Sequence, residues 1–242
     1  MDPLVYEIEA KVEETHWWFT GRRKFFSREL TRAGIMPRAA VLDIGSSTGT
    51  NLRMLRCLGF SCVLGLDSST DAIEFCAAKG LGPIHHGDVC AMPFAASTFD
   101  LVIASDVIEH VEDDALALQE IVRVLRPGGM LLLTVPAFAS LWGLQDRVAH
   151  HKRRYRLPAL RGQLQQAGLR PLRIFYFNYL LFLPIWLGRR LIDWLNIDIS
   201  SEAQLNTPLL NRALSIIFNL DARTAPVLRP PFGVSIFLLA VK

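Results

Sequence analysis

Three carboxylates stand at or just past the ends of short apolar runs: Asp43 after Val41-Leu42, Asp67 after Leu64-Gly65-Leu66, and Asp88 after Gly87. Gly45 and Gly49, spaced G-x-x-x-G around Ser47, follow the first of them. Bare glycines let a ligand approach the backbone closely, and a helix opening behind them offers free N–H groups. A dinucleotide site needs G-x-G-x-x-G instead, so a nicotinamide oxidoreductase is disfavoured. The acid at position 43 would repel a pyrophosphate but suits an ammonium group. A carboxylate at a strand tip, as at Asp67 with Ser68 beside it, can accept both hydroxyls of a ribose; it can also simply cap the next helix. Asp88 can accept from an exocyclic amine with Val89 against a purine ring, or serve as a turn residue.

A second set of residues can move protons. Glu109 and His110 follow one apolar run, and Asp146, His150, His151 and Tyr155 follow another. Histidine titrates near neutrality and suits general-base work. His151 is preferred over His150, with Tyr155 third. The neighbouring Lys152-Arg153-Arg154 also reads as a solvated helix start. No metal site is expected: the histidines at 16, 85, 86, 110, 150 and 151 have no companion ligands at zinc spacing. The four cysteines form no C-x-x-C pair and residues 1–10 are mostly polar, so reduced thiols in a cytoplasmic protein are expected.

The elements that must carry these residues alternate. Residues 5–33 read as helical. Strands are expected over 40–44, 61–66, 84–87, 99–105 and 130–135, with helices over 51–58, 69–79 and 113–124, the last stopped by Pro127-Gly128-Gly129. Strands joined by helices of this length imply right-handed crossovers and a parallel sheet. A polar helix over 153–167, a strand over 171–177 and a final strand over 233–241 complete the pattern. Hydrophobic residues make up 51% of the 242, enough for one large α/β domain and far too many for a disordered chain.

Taken in order, Asp43-x-Gly45-x-Ser47-x-Gly49, the Asp67 tip, Gly87-Asp88-Val89 with Met92-Pro93-Phe94, Phe99-Asp100-Leu101-Val102 and Leu125-Arg126-Pro127-Gly128-Gly129 resemble the class I S-adenosylmethionine-dependent methyltransferases, and most of all their small-molecule branch that includes ubiquinone-biosynthesis enzymes. The resemblance covers about residues 40–136. It implies a Rossmann-like α/β sandwich with a seven-stranded, mostly parallel sheet, its last strand antiparallel. It implies S-adenosylmethionine as cofactor, with Gly45, Ser47 and Gly49 under its methionine part and Asp43 near its amino group. Asp67 and Ser68 would hold the ribose, Asp88 and Val89 the adenine, and Ser105 the sulfonium side. One departure is Ser47 in place of the usual middle glycine. His16-Trp17-Trp18 through Arg22 resembles the N-terminal helix of many relatives, in which Trp18 would wall the site and Arg22 would clamp the cofactor carboxylate.

Charge and hydropathy divide the chain. Residues 1–146 carry 12 Lys+Arg against 19 Asp+Glu, whereas 147–242 carry 14 against 4. The apolar run 174–188 holds Asn178 and Pro184 and is too short for a spanning helix. The expected organisation is one domain: a helical cap over 1–38, a core over 39–177, a helical insertion over 178–231 and a final strand over 232–242. The insertion reads as a lid, a homodimer surface, or a peripheral membrane or lipid contact through 174–223. The expected reaction is methyl transfer to an oxygen or carbon of a small apolar or lipid-linked acceptor. Alternatives are a non-catalytic cofactor-binding regulatory module, suggested by Ser47, and an RNA methyltransferase using the basic last third. No amino-methylation signature follows the fourth strand, which argues against nucleic-acid bases.

Overall fold

The computed structural model describes residues 3–195 and 207–242. Seven strands form one sheet: β1 (Ala40–Ile44), β2 (Cys62–Asp67), β3 (Ile84–His86), β4 (Phe99–Ser105), β5 (Leu125–Pro136), β6 (Arg170–Phe177) and β7 (Ser235–Val241). Their order is β3-β2-β1-β4-β5-β7-β6. The first five pair in parallel, and β7 runs antiparallel between β5 and β6. The expected sheet, with its last strand reversed, is the one observed. The direction of strand addition reverses between β1 and β4, which opens a crevice beyond their carboxyl ends.

The strands are apolar on both faces because helices cover both. Leu42, Ile44, Val102, Ala104, Leu131 and Leu133 pack on one side with Ala117, Leu118 and Ile121 of α5 (Asp114–Val124) and with Leu160 and Leu164 of α7 (Leu157–Gln166). The residues of opposite parity, Val41, Leu101, Ile103 and Leu132, face the other side. There they meet Phe25, Phe26 and Leu30 of α2 (Trp17–Arg32), Met54 and Leu55 of α3 (Thr50–Cys57), and Phe218 and Ala222 of α9 (Pro208–Leu228). Helix α4 (Thr70–Ala78) flanks β2 and β3. Gly21 lets α2 and α9 meet, since a Cβ there would overlap the Phe218 ring.

Three expectations are corrected. The helix over 5–33 is two helices, α1 (Pro3–Val12) and α2, because His16 leaves helical geometry and its Nδ1 accepts from the Trp18 N–H at 3.3 Å. Strand β5 begins at Leu125 rather than 130: Leu125 pairs with Phe99, so Pro127 to Gly129 lie within the strand. Residues 153–156 precede helix α7 rather than begin it; Tyr155 bridges to Ala137, and its N–H donates to the Pro136 carbonyl at 2.8 Å.

Between β6 and β7 stand α8 (Phe182–Leu195) and α9; the part of the expected insertion over 196–206 lies outside the described residues. Leu183, Leu187, Leu191 and Trp194 make an exposed apolar stripe along α8, spaced at helical intervals. No helix among the described residues is long and apolar enough to cross a membrane. Asp221 of α9, wholly buried, accepts from the N–H groups of Asn178 (2.6 Å) and Leu180 (2.9 Å) and so ties the end of β6 to α9.

Removing that carboxylate orphans two backbone donors. Asp221→Ala is expected to destabilise the fold by about 2–4 kcal/mol. Urea denaturation followed by tryptophan fluorescence measures it, and a loss below about 0.5 kcal/mol would mean the tie is unimportant.

Candidate active site

A cavity of about 500 Å³ lies beyond the carboxyl ends of β1, β2 and β4, within the size range of cofactor and substrate pockets. Its first end is built on the loop between β1 and α3. The Gly45 N–H donates to the Leu66 carbonyl at 2.8 Å, and Ser47 N–H to Asp67 Oδ2 at 2.9 Å, so the loop is laced to the tip of β2. Asp67 Oδ1 takes the Ser69 N–H at 2.9 Å. Each carboxylate oxygen keeps further acceptor capacity toward the cavity. Gly45 has φ +68, and a Cβ on it would come within 2.7 Å of Val107. Ser47 itself adopts φ +48, a left-handed backbone that costs a side chain of order 1 kcal/mol.

Asp43 stands behind the loop rather than on the cavity wall. It is wholly buried; Oδ1 accepts from Asn51 Nδ2 at 3.0 Å, while Oδ2 and Asn51 Oδ1 have no hydrogen-bond partner among the described residues. Burial pushes the Asp43 carboxyl up to about 7. Asn51, which does line the cavity, carries the polarity outward. Gly49 is also off the wall. It caps α3 at φ +86, and the space its Cβ would need is filled by Leu81 and Cys76, so its role is packing.

Helices α1 and α2 close this end. Tyr6, Glu9, Trp18 and Arg22 line the cavity. The corner between the helices is latched: buried Glu13 accepts from the Thr48 hydroxyl and pairs with Arg53 (2.8 Å) and Lys79 (2.9 Å). Burial pushes Glu9 up to about 7, with Glu13 and Asp106 adding to the effect against Arg22. Arg22 is paired with Asp106 at 2.7 Å, so its guanidinium is already engaged by a carboxylate of this chain. Ser68, Asp88 and Val89 line the wall beyond Asp67; Asp88 Oδ1 accepts the Cys90 N–H at 2.8 Å. Ser105 shares a hydrogen bond with Thr134 at 3.0 Å, and Asp106 follows at φ +56.

The other end gathers Glu109, His110 and His151. Two chain segments are stitched there. The Lys152 N–H donates to the Glu109 carbonyl at 2.7 Å, Arg153 donates to the carbonyls of Val111 and Glu112, and Arg153 pairs with Asp114 at 3.2 Å. The basic run is therefore a clasp, not a solvated helix start. Asp146, on the short helix α6 (Leu144–Val148), is wholly buried. It accepts two bonds from Arg154 (2.8 Å each), the His151 Nδ1 bond (2.8 Å) and the Gly143 N–H (2.9 Å). Burial alone would raise its carboxyl, but His151, Arg154 and Gly143 hold it well below the usual carboxylate range. Burial pushes His110 down to about 4, with His151 adding to the shift, and pushes Glu109 well up.

Two expected residues are elsewhere. Tyr155 is buried off the cavity, its hydroxyl donating to Asp114 Oδ2 at 2.8 Å. His150 is exposed and lies outside the cavity lining, with its backbone at φ +57. Residues that the sequence did not single out also form the wall: Glu9 and Tyr6 from α1, Asn178 after β6, Ile185 and Arg189 from α8, and Leu214 from α9. No spacing signal connects them, because they come from both ends of the chain.

The residues around the loop fit S-adenosylmethionine. Asn51, which lines the cavity, keeps an unpartnered Oδ1 that suits an ammonium, and the Asp67 carboxylate suits a vicinal diol; Asp43, expected near the amino group, reaches the cavity only through its bond from Asn51.

Residues 42–133 match the family model of the methyltransferase domain. A demethylmenaquinone methyltransferase of a Mycobacterium species is 34% identical over 129 residues, covering 50% of this chain and 55% of that protein. An uncharacterized protein of a Streptomyces fradiae transposon is 33% identical over 125 residues, 49% of this chain and 36% of its own length. The chain thus spans between about a third and about half of the length of these curated relatives. An S-adenosylmethionine-dependent methyltransferase of Mesorhizobium loti superposes with a TM-score of 0.57 at 18% identity, over 87% of this chain and 95% of that one. The fold is the Rossmann-like class I methyltransferase sandwich, and the match to the methyltransferase-domain model over 42–133 implies S-adenosylmethionine as cofactor.

The raised carboxyls make stability depend on pH. A folded pKa of about 7 for Asp43 lies above that of the unfolded chain. Its contribution is therefore full below the unfolded value and lost as pH rises through about 7. The unfolding free energy of the ligand-free protein is expected to fall between about pH 5 and pH 8, and Asp43→Asn to flatten that fall. Urea titrations across this range test it; the same slope in the variant would remove Asp43 as the cause.

Proposed function

We propose that this chain, built on a class I methyltransferase fold with its cofactor loop at 45–49, transfers a methyl group from S-adenosylmethionine to an oxygen or carbon of an apolar or lipid-linked acceptor. The observation that carries the reading is one continuous cavity. It runs from the Gly45 loop and Asp67 to the Glu109, His110 and His151 cluster, with Ile185 of α8 and Leu214 of α9 in its wall. When bound, the cofactor supplies an electrophilic methyl group on a sulfonium.

The chain's own residues do the positioning. Asp67 accepts the ribose hydroxyls while the backbone of the 45–47 loop passes beneath the methionine part. Asp88 and Val89 meet the adenine. Trp18 and Arg22, from the latched N-terminal helices, exclude water, and Asp106 stands at the positive sulfonium side together with Ser105. Alignment of the two reacting atoms supplies much of the rate in such a displacement. Glu109, His110 and His151 surround the acceptor's reacting atom, with Asp146 fixing the His151 ring. The apolar acceptor reading draws support from the exposed leucines of α8 beside the cavity-lining Ile185, and from the demethylmenaquinone methyltransferase relatives. An acceptor with an apolar tail would leave the cavity along that face.

Incubation with methyl-labelled S-adenosylmethionine and a cell extract of the source, followed by organic–aqueous partition, tests the acceptor class. Label is expected in the organic phase; label confined to the aqueous phase would sink the apolar reading. Asp67→Ala is expected to weaken S-adenosylhomocysteine binding by at least about 100-fold in calorimetry. His151→Ala is expected to slow turnover by about 100-fold with cofactor affinity unchanged. Normal turnover in that variant would remove His151 from the acceptor site.

A further inference from the structure

At the acceptor end, the sequence offered no ligand set at metal spacing, yet the fold assembles one. Glu109 and His110 follow β4, and His151 arrives from the segment after β5, more than forty positions on. One ligand atom from each lies within 4.8 Å of the other two. The His110 and His151 rings meet edge to face with centroids 4.7 Å apart.

Three features go beyond proximity. Glu109 is wholly buried, and apart from its own backbone N–H neither carboxylate oxygen has a hydrogen-bond partner among the described residues. A buried carboxylate without partners is costly, and a cation beside it removes the cost. His151 is held through Nδ1 by the Asp146 carboxylate at 2.8 Å, which leaves Nε2 for a ligand. His110 is likewise held by the backbone carbonyl of Ala149. Imidazoles fixed from behind by a carboxylate and by a carbonyl are the usual outer arrangement of metal-binding histidines.

We infer that Glu109, His110 and His151 bind one divalent transition-metal ion at the acceptor end of the cavity, and that this ion takes an oxygen of the acceptor as a further ligand. Two imidazoles and one carboxylate suit Zn²⁺ or Fe²⁺ over Mg²⁺ or Ca²⁺. The inference rests on the methyl-transfer reading and narrows it to an oxygen acceptor. A hydroxyl on the ion gives its proton to solvent water more readily. The oxygen then forms the new bond to carbon as the carbon–sulfur bond breaks, and the electron pair of that bond stays on sulfur.

The test uses the tag-free full chain, stripped with a chelator and titrated with Co²⁺ and with Zn²⁺, by calorimetry and by the visible bands of Co²⁺. S-adenosylhomocysteine binding is measured on the same samples. One ion per chain is expected, with affinity lowered at least about tenfold in both Glu109→Gln and His151→Gln. His85→Asn, on an exposed histidine outside the cluster, should leave it unchanged. Circular dichroism and S-adenosylhomocysteine binding show that the variants are folded. Absence of a one-to-one site, or equal affinity in Glu109→Gln, His151→Gln and the parent, would overturn the metal site while leaving the methyltransferase reading standing. Metal binding without S-adenosylhomocysteine binding would instead sink the methyltransferase reading on which the acceptor role rests.

Discussion

The end of the cavity that holds Glu109, His110 and His151 depends on one buried carboxylate. Asp146 sits in the interior with Arg154 forked across both oxygens, the His151 ring on Oδ1 and the Gly143 N–H on Oδ2. A charge at that depth is tolerable only when its lone pairs are filled by charged and backbone donors. The requirement fixes three things at once: helix α6, the extended run 151–155, and the orientation of the His151 ring. From there Lys152 and Arg153 clasp the loop after β4, and Tyr155 reaches Asp114 at the start of α5. The pair of segments that carries Glu109, His110 and His151 is thus one unit, and all three residues line the cavity.

The opposite end obeys a different constraint. Strand order reverses between β1 and β4, so the loops after β1, β2 and β4 diverge and leave a crevice. Left-handed backbone at Gly45, Ser47 and Asp106 turns the chain sharply at this rim. Such conformations are costly for residues with side chains and persist where the surroundings over-determine them. Here the Asp67 carboxylate over-determines Ser47, and the Arg22 ion pair holds Asp106. Helices α1 and α2 are then drawn down by Glu13 onto Thr48, Arg53 and Lys79, so the N-terminal helices and the loop after β1 share one ionic anchor.

Several elements were legible in the residue pattern because their cause is local. Apolar runs bounded by turn residues became β1, β2 and β4, and the acids at their ends stand at the crevice or just behind it. Errors arose where distant pairing overrode a local signal. Pro127-Gly128-Gly129 reads as a stop, yet partners on both sides draw residues 125–129 into β5. Arg153 and Arg154 read as an exposed helix start, yet both are spent on buried or clasped acceptors. Tyr155 has the chemistry of an acid or base, but Asp114 takes its hydroxyl away from the cavity.

By itself the sequence determined the strands and helices from β1 to β4 and the turn residues between them, while the seven-stranded sheet with its reversed last strand came from the family resemblance. The strands, helices and turns follow from hydrophobic period, glycine placement and strand-end acids, all properties of short windows. Only the tertiary structure decided the composition of the far wall and of the Glu109, His110 and His151 cluster. Glu9, Asn178, Ile185 and Leu214 reach the same cavity from opposite ends of the chain, and Glu109, His110 and His151 from two separate loops. Their meeting depends on strand order and on the buried Asp146 ion cluster, neither of which has a signature at fixed spacing along the chain.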